Sequence, residues 1–199
     1  MTKSLSDVIA ALYRPSVASS DFDLNPEIQL PDNRLLRPAA VLIAIQRRND
    51  GDVLYLTKRA SHLKHHPGQI AFPGGKVDVT DTDATAAAIR EADEEIALPP
   101  ANLRVLGQLT SHETVTGFQV CPIVAEVTQT FVPRVDPNEV DEVFTVPLDH
   151  ILTPDNFRVE QRRWRGSWRK YYVVPYGPYY IWGATARMLF GLAQQVTAP

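Results

Sequence analysis

The chain has 199 residues, 44% of them hydrophobic, and a net charge of −3, which suits one domain with a sizeable core and terminal additions. The acidic balance, with a sequence pI near 5.9, argues against broad binding to nucleic acid or to a membrane surface. A single cysteine, Cys121, excludes an internal disulfide, and with no leader pattern or long apolar run the expected location is cytoplasmic.

In chain order, Ser4-Leu5-Ser6-Asp7 suits the start of a short helix running to about Tyr13. Arg14–Asn33 is a polar, proline-containing connector expected on the surface. The division this implies is an N-terminal helix and connector over residues 1–35 and a main domain over 36–199. Ala39–Arg48 and Val53–Arg59 flank Asn49-Asp50-Gly51-Asp52 and read as a β-hairpin. Ile70-Ala71-Phe72 is strand-like and breaks at Pro73-Gly74-Gly75, which reads as a turn where backbone can come close to another group. Asp83 to about Ile96 is an amphipathic helix, with Ala84, Ala87, Ala88, Ala92 and Ile96 toward a core and Pro99-Pro100 ending it. Strands are expected at Leu103–Leu109, Phe118–Val127 and Val143–Val146, then a short helix from Pro147. Arg158–Trp164 and Trp168–Val174 around Gly166 suggest a second hairpin, and Ile181 to about Gln195 a closing helix. Residues alone define a mixed α/β chain.

The acidic helix carries the chemistry. Glu91 and Glu95 lie four residues apart, and Glu91 and Glu94 three, so their side chains share one face. Each like-charged pair costs roughly 0.2–0.5 kcal/mol in an isolated helix, and Arg90 is in reach of Glu94 to offset part of it. Such a face is either solvated or a seat for a hard divalent cation, which takes carboxylate oxygens, waters and substrate phosphates.

The stretch GGKVDVTDTDATAAAIREADEEIAL resembles the Nudix box, and Arg90-Glu91-Ala92-Asp93-Glu94-Glu95 matches its R-E-x-x-E-E centre in full. Ala97 stands where the family usually has glycine. The spacing from Gly75 to Arg90 is one residue longer than the common form, and the early glutamate is absent, with Asp81 or Asp83 nearest. Upstream, LTKRASHLKHHPGQIAFPGG (Leu56–Gly75) resembles the signature of the coenzyme A diphosphatase branch, with Lys64 where that branch often has arginine. Asn138–Leu148 and Tyr179–Leu189 also resemble that branch.

The resemblance implies an α/β/α sandwich with a mixed sheet and an enzyme dependent on Mg²⁺ or Mn²⁺. It implies metal ligation by Glu91 and Glu95. Glu94 is a further ligand or orienter, and Arg90 a partner that holds a site acid in place. Arg59, Lys64, His66, Gly74 and Gly75 fall to substrate binding. The implied reaction cuts the diphosphate of coenzyme A or an acyl derivative into 4′-phosphopantetheine, or its acyl form, and adenosine 3′,5′-bisphosphate. Competing readings are a diphosphatase for ADP-ribose or a dinucleotide, a non-catalytic nucleotide-binding regulator, and an RNA-end hydrolase, the last disfavoured by the charge.

Other residues are read more plainly. His62, His65 and His66 lack Cys and His partners at zinc spacing. Glu139 and Glu142 are candidates for a distant acid or base. Cys121 is read as packed in a strand. The C-terminal aromatics, Trp164, Trp168, Tyr171, Tyr172, Tyr176, Tyr179, Tyr180 and Trp182, mingle with Arg158, Arg162, Arg163, Arg165, Arg169 and Lys170. These are read as packing or a homodimer contact in preference to base stacking.

Overall fold

The computed structural model describes residues 2–31, 33–164 and 166–198; Arg165 and the side chain of Trp164 therefore lie outside the described part of the aromatic cluster. The first elements are α1 (Leu5–Ala11), β1 (Ser19–Ser20), β2 (Arg37–Gln46), β3 (Val53–Arg59), β4 (Ile70–Ala71), β5 (Gly74–Lys76) and α2 (Ala84–Ile96). They are followed by β6 (Leu103–Gln108), β7 (His112–Glu113), β8 (Phe118–Val127), β9 (Val140–Pro147), α3 (Leu148–Ile151), β10 (Arg158–Trp164), β11 (Ser167–Val173) and α4 (Ala184–Thr197).

β2 divides the core. Its side chains alternate across the sheet, so Ala39, Ile43 and Ile45 join a cluster with Leu5, Val8, Leu148, Leu189 and Leu192 from the helices of one face. Ala40, Leu42 and Ala44 join Ala87, Ala88, Ala92 and Ile96 of α2 on the other. The small alanines let α2 lie close to the sheet. Helices on both faces of a mixed sheet make the α/β/α sandwich that the resemblance implied.

The sheet opens where the site forms. β2 runs parallel to β8 along its full length but pairs with β3 only at Ile45↔Leu54 and Gln46↔Val53. Beyond that point the two strands part. β4 pairs with β3 at Thr57 and Lys58, and β5 pairs with β2 at Ala39–Val41. Gly74-Gly75, expected as a turn, is thus the start of a strand. Glycine permits this: a Cβ on Gly74 (φ +152°) would lie 2.4 Å from the Ala40 carbonyl oxygen and 2.6 Å from Val41 Cα.

Two further boundaries differ from expectation, and so does the placement of the connector. β9 begins at Val140 because pairing with β3 continues past a bulge between Lys58 and Arg59. α4 starts at Ala184, since Trp182 still bridges Val173 and Gly183 turns the chain at φ 67°. The connector is not merely laid on the surface. β1 pairs with β7, and buried Asn25 exchanges hydrogen bonds with the Lys170 backbone at 2.8 and 2.9 Å.

Asp83 caps α2 by accepting the Ala86 N–H at 2.8 Å. The helix ends at Ala97, whose backbone is left-handed (φ 53°, ψ 39°). That explains a glycine preference there, because a Cβ in this region costs roughly 1–2 kcal/mol. Ala97→Gly should raise stability by roughly 1 kcal/mol, or about 2–4 °C in Tm for a chain of this size. Thermal unfolding checks it, and a lowered Tm would contradict the account of this cap.

Candidate active site

The site forms where α2 crosses β5. Glu91 and Glu95, one helical turn apart, both reach the strand. The Gly74 N–H donates to Glu95 Oε2 at 3.2 Å. A Cβ on Gly75 would lie 2.5 Å from Glu91 Oε1, so only glycine leaves that carboxylate its place. The three acids are not equivalent. Glu95 is 4% exposed, the Glu91 side chain 15%, and the Glu94 side chain 60%.

Arg90 organises the acids around it. Its Nε and Nη2 donate to the two carboxylate oxygens of Asp81 at 3.0 and 2.9 Å, a bidentate clasp. Its Nη1 reaches Glu91 Oε1 at 3.0 Å and Glu94 Oε2 at 2.9 Å, and Nη2 also meets the Lys76 carbonyl at 3.2 Å. The geometry separates the two early acids: Asp81 receives the arginine while Asp83 caps the helix. The bond to Arg90 holds the Asp81 carboxyl below its ordinary range.

Glu95 stands apart electrostatically. Burial pushes its carboxyl up to about 8, and the charges of Glu91 and Glu139 add to this, while the Gly74 N–H and Arg59 oppose it. Glu91 is raised as well, again chiefly by burial. The effect of Glu139 on both residues brings that acid into the site. Its loop is docked on α2 through Asp136 N–H to the Glu95 carbonyl at 3.0 Å and Arg134 N–H to the Ile96 carbonyl at 3.2 Å. Glu142 points elsewhere and accepts the Tyr179 hydroxyl. Nothing in its surroundings in the sequence distinguishes it from Glu139; only the docked loop does.

The remaining site candidates form two groups. Gly74, Gly75 and Arg59 belong with the acidic helix, Arg59 through its charge on Glu95 and its backbone pairing with Gln69 and Gly68 at 2.9 and 3.0 Å. Lys64 and His66 line a cleft of about 320 Å³ with Arg162, Tyr171 and Trp182 of the C-terminal quarter. His66 has a left-handed backbone (φ 56°), and burial moves its imidazole toward the neutral form, opposed by a bond to Gln69. No local pattern marks this junction, because its two halves lie about a hundred residues apart. Another cleft, of about 340 Å³ between the connector and α4, holds no glutamate.

Among the described residues, no three His, Cys, Asp or Glu side chains already converge as a cage. Mg²⁺ does not need one, since it is commonly held by one or two carboxylates with waters and substrate phosphates. A buried Glu95 carboxylate with a single backbone donor, beside Glu91, has the hard oxygens and unmet charge that suit such a cation.

A family model for the NUDIX domain matches residues 36–165 of this chain, well over half its length. The chain is 42% identical over 160 residues to an uncharacterized Nudix hydrolase NudL of Enterobacter sp. (strain 638), covering 80% of this chain and 83% of the relative. A NudL protein of the same description from Salmonella paratyphi B is 43% identical over the same lengths. Among solved structures, the fold resembles RenU, a Nudix hydrolase from M. smegmatis, with a TM-score of 0.50, 20% identity, and coverage of 60% of this chain and 82% of that one. It also resembles a MutT/nudix family protein from Enterococcus faecalis, with a TM-score of 0.50, 13% identity, and coverage of 84% and 64%. The chain belongs to the Nudix hydrolase family, whose members generally require divalent cations, typically Mg²⁺ or Mn²⁺.

The state of Glu95 makes stability depend on pH. Its folded value of about 8 exceeds the ordinary 4.5, so the metal-free folded protein holds this proton more tightly than the unfolded chain. The resulting stability is fully present below about 4.5 and is lost as pH rises through about 8. The lowered carboxyls of Asp7 and Asp81 act below this window. Between about pH 6 and pH 8.5, metal-free wild type should lose Tm relative to Glu95→Gln. Parallel curves would contradict the buried, uncompensated state of Glu95.

Proposed function

We propose that this Nudix hydrolase cleaves the diphosphate of coenzyme A or an acyl-coenzyme A. The observation that carries the reading is the course of one segment, Leu56–Gly75. Its C-terminal end supplies the Gly74 N–H to Glu95, and its middle brings Lys64 and His66 to the basic-aromatic cleft. A substrate with a diphosphate at one point and further phosphate and base at another suits a segment that serves both.

In this reading Glu91 and Glu95 hold the cation, and Gly74 orients Glu95 by its N–H. Bound Mg²⁺ or Mn²⁺ supplies charge neutralisation on the diphosphate and makes water more acidic. Arg90 is a positioning residue that keeps Glu91 and Glu94 in place from its clasp on Asp81. Glu94, exposed beside it, completes the acidic set. Arg59 and Lys64 bind phosphate oxygens. Water attacks one phosphorus, the bridging P–O bond breaks, and the leaving phosphate departs with the bridging oxygen. Glu139 takes the proton of the attacking water, a role supported by the docking of its loop on α2 beside Glu95. The products are 4′-phosphopantetheine, or its acyl form, and adenosine 3′,5′-bisphosphate.

Incubation with coenzyme A, ADP-ribose, dinucleotides and capped RNA, followed by product analysis, tests the substrate. Coenzyme A should give the highest kcat/KM, with both phosphates separated at the diphosphate. Glu91→Gln and Glu95→Gln should each reduce turnover on the order of a hundredfold or more while the protein stays folded. Faster cleavage of ADP-ribose would overturn the substrate and leave the family chemistry standing. Near wild-type turnover in either variant would remove that residue from the site.

A further inference from the structure

Away from the acidic helix, the connector and the sheet bring a serine, a histidine and an aspartate into one line. β1 runs parallel to β7 with Ser19 opposite His112. Ser19 Oγ lies 2.9 Å from His112 Nδ1, and Asp21 Oδ1 lies 3.2 Å from His112 Nε2. The imidazole between them is fully buried. Asp21 is itself held in place, its Oδ2 accepting the Val115 N–H at 2.8 Å. An ionised carboxylate can only accept, so in the neutral imidazole Nε2 carries the hydrogen and Nδ1 is left to accept the Ser19 hydroxyl. Fastening the connector does not require this line. The Ser19 N–H already donates to the Ser111 carbonyl at 3.1 Å and the Asp21 N–H to the Glu113 carbonyl at 2.9 Å. What the side chains add is a hydroxyl backed by a base, with a carboxylate that orients the base. That relation activates a serine, and it is recognised by geometry and roles, whatever the chain order.

The serine opens on a cavity. On β8, Val120 pairs with His112 and belongs to the core beneath α4. Pro122, two residues on, faces the same side of the sheet. Half-buried Ser19 and Pro122 both line the cleft of about 340 Å³ between the connector and α4, together with Val17, Leu109, Met188 and Leu192. Arg187 is the charged residue on its wall. Asp23 takes the Arg187 Nε and Nη2 at 2.8 and 2.7 Å. Nη1 lies beside Gly191, 3.5 Å from where a Cβ on that glycine would stand. An apolar cleft of this size suits an acyl chain, and a cation on its wall suits the negative charge that grows on a carbonyl oxygen under attack.

We propose that Ser19, His112 and Asp21 form a second, metal-independent site that hydrolyses carboxylic esters of short acyl chains. Ser19 Oγ attacks the ester carbonyl carbon and its proton passes to His112 Nδ1. The bond to the alcohol oxygen then breaks, and the alcohol leaves with that proton. Water attacks the acyl-serine, gives its proton to Nδ1, and releases the carboxylic acid as Ser19 recovers the proton. Asp21 stabilises the imidazolium that forms at each stage. The site shares no residue with the acidic helix and does not depend on the coenzyme A reading.

Treatment of the full chain with a fluorophosphonate in the presence of a chelator tests this. The reagent phosphonylates an activated serine with loss of fluoride, and mass spectrometry locates the modified residue. Turnover of p-nitrophenyl butyrate is followed in the same buffer. Wild type should be modified at Ser19, in preference to Ser16 and Ser20, and should release nitrophenolate; Ser19→Ala should lose both. Asp21→Asn should slow the modification by about a hundredfold or more, because an amide can donate to Nε2 and so turn Nδ1 from acceptor to donor. Wild type modified elsewhere or not at all, or ester turnover undiminished in Ser19→Ala, overturns the site and leaves the line as a fastening for the connector. The position of labelling is read on wild type, so a variant that fails to fold does not spare the proposal.

Discussion

The distance between β5 and α2 sets the terms for everything else in the site. With a Cβ on Gly75 placed 2.5 Å from Glu91 Oε1, any other residue there would displace that carboxylate. The alanines at 87, 88 and 92 let the helix lie close to Ala40, Leu42 and Ala44 of neighbouring β2. At this separation a strand N–H reaches Glu95, and of two carboxylates one turn apart Glu95 is buried and Glu91 half-buried, not part of a solvated stripe. The wedge between β2 and β3 is what admits β5 to this position. Fold and site therefore share one cause: two strands that part after two paired residues and a glycine strand that fills the gap.

Charge is distributed unevenly around that contact. Arg90 satisfies the periphery, clasping Asp81 and reaching Glu91 and Glu94. Glu95 is left with a backbone donor and a raised pKa, which is a cost to the metal-free protein. Structural ion-pair networks tend to satisfy their members. A buried carboxylate left short of positive charge beside others is more characteristic of a place where a cation binds. The distinction is why we propose Arg90 as a positioning residue and Glu95 as a ligand.

Much of this was legible from residue spacing. The i, i+4 relation of Glu91 and Glu95 placed them on one helix face, and the alanine stripe placed the opposite face in the core. β2, β3 and α2 follow their hydrophobic periods closely. Gly74-Gly75 reads as a turn in the sequence because glycine signals only that backbone comes close, and here the close neighbour is a strand. Ala97 shows the reverse case: its left-handed backbone has no signature in the residue type, only in the family's preference for glycine. The junction of Lys64 and His66 with Arg162 and Trp182 was out of reach, because cross-chain register decides it and local pattern does not. The same limit hid the difference between Glu139 and Glu142, three residues apart in β9 and its approach, which fall on opposite sides of the question.

The central claim is that Glu91 and Glu95 together hold a divalent cation against β5. Mn²⁺ binding followed by electron paramagnetic resonance tests it most directly, since it needs neither substrate nor turnover. Wild type should bind Mn²⁺ at one tight site, and Glu91→Gln and Glu95→Gln should each weaken it by about tenfold or more while thermal unfolding stays cooperative. Unchanged Mn²⁺ affinity in both folded variants would contradict the account.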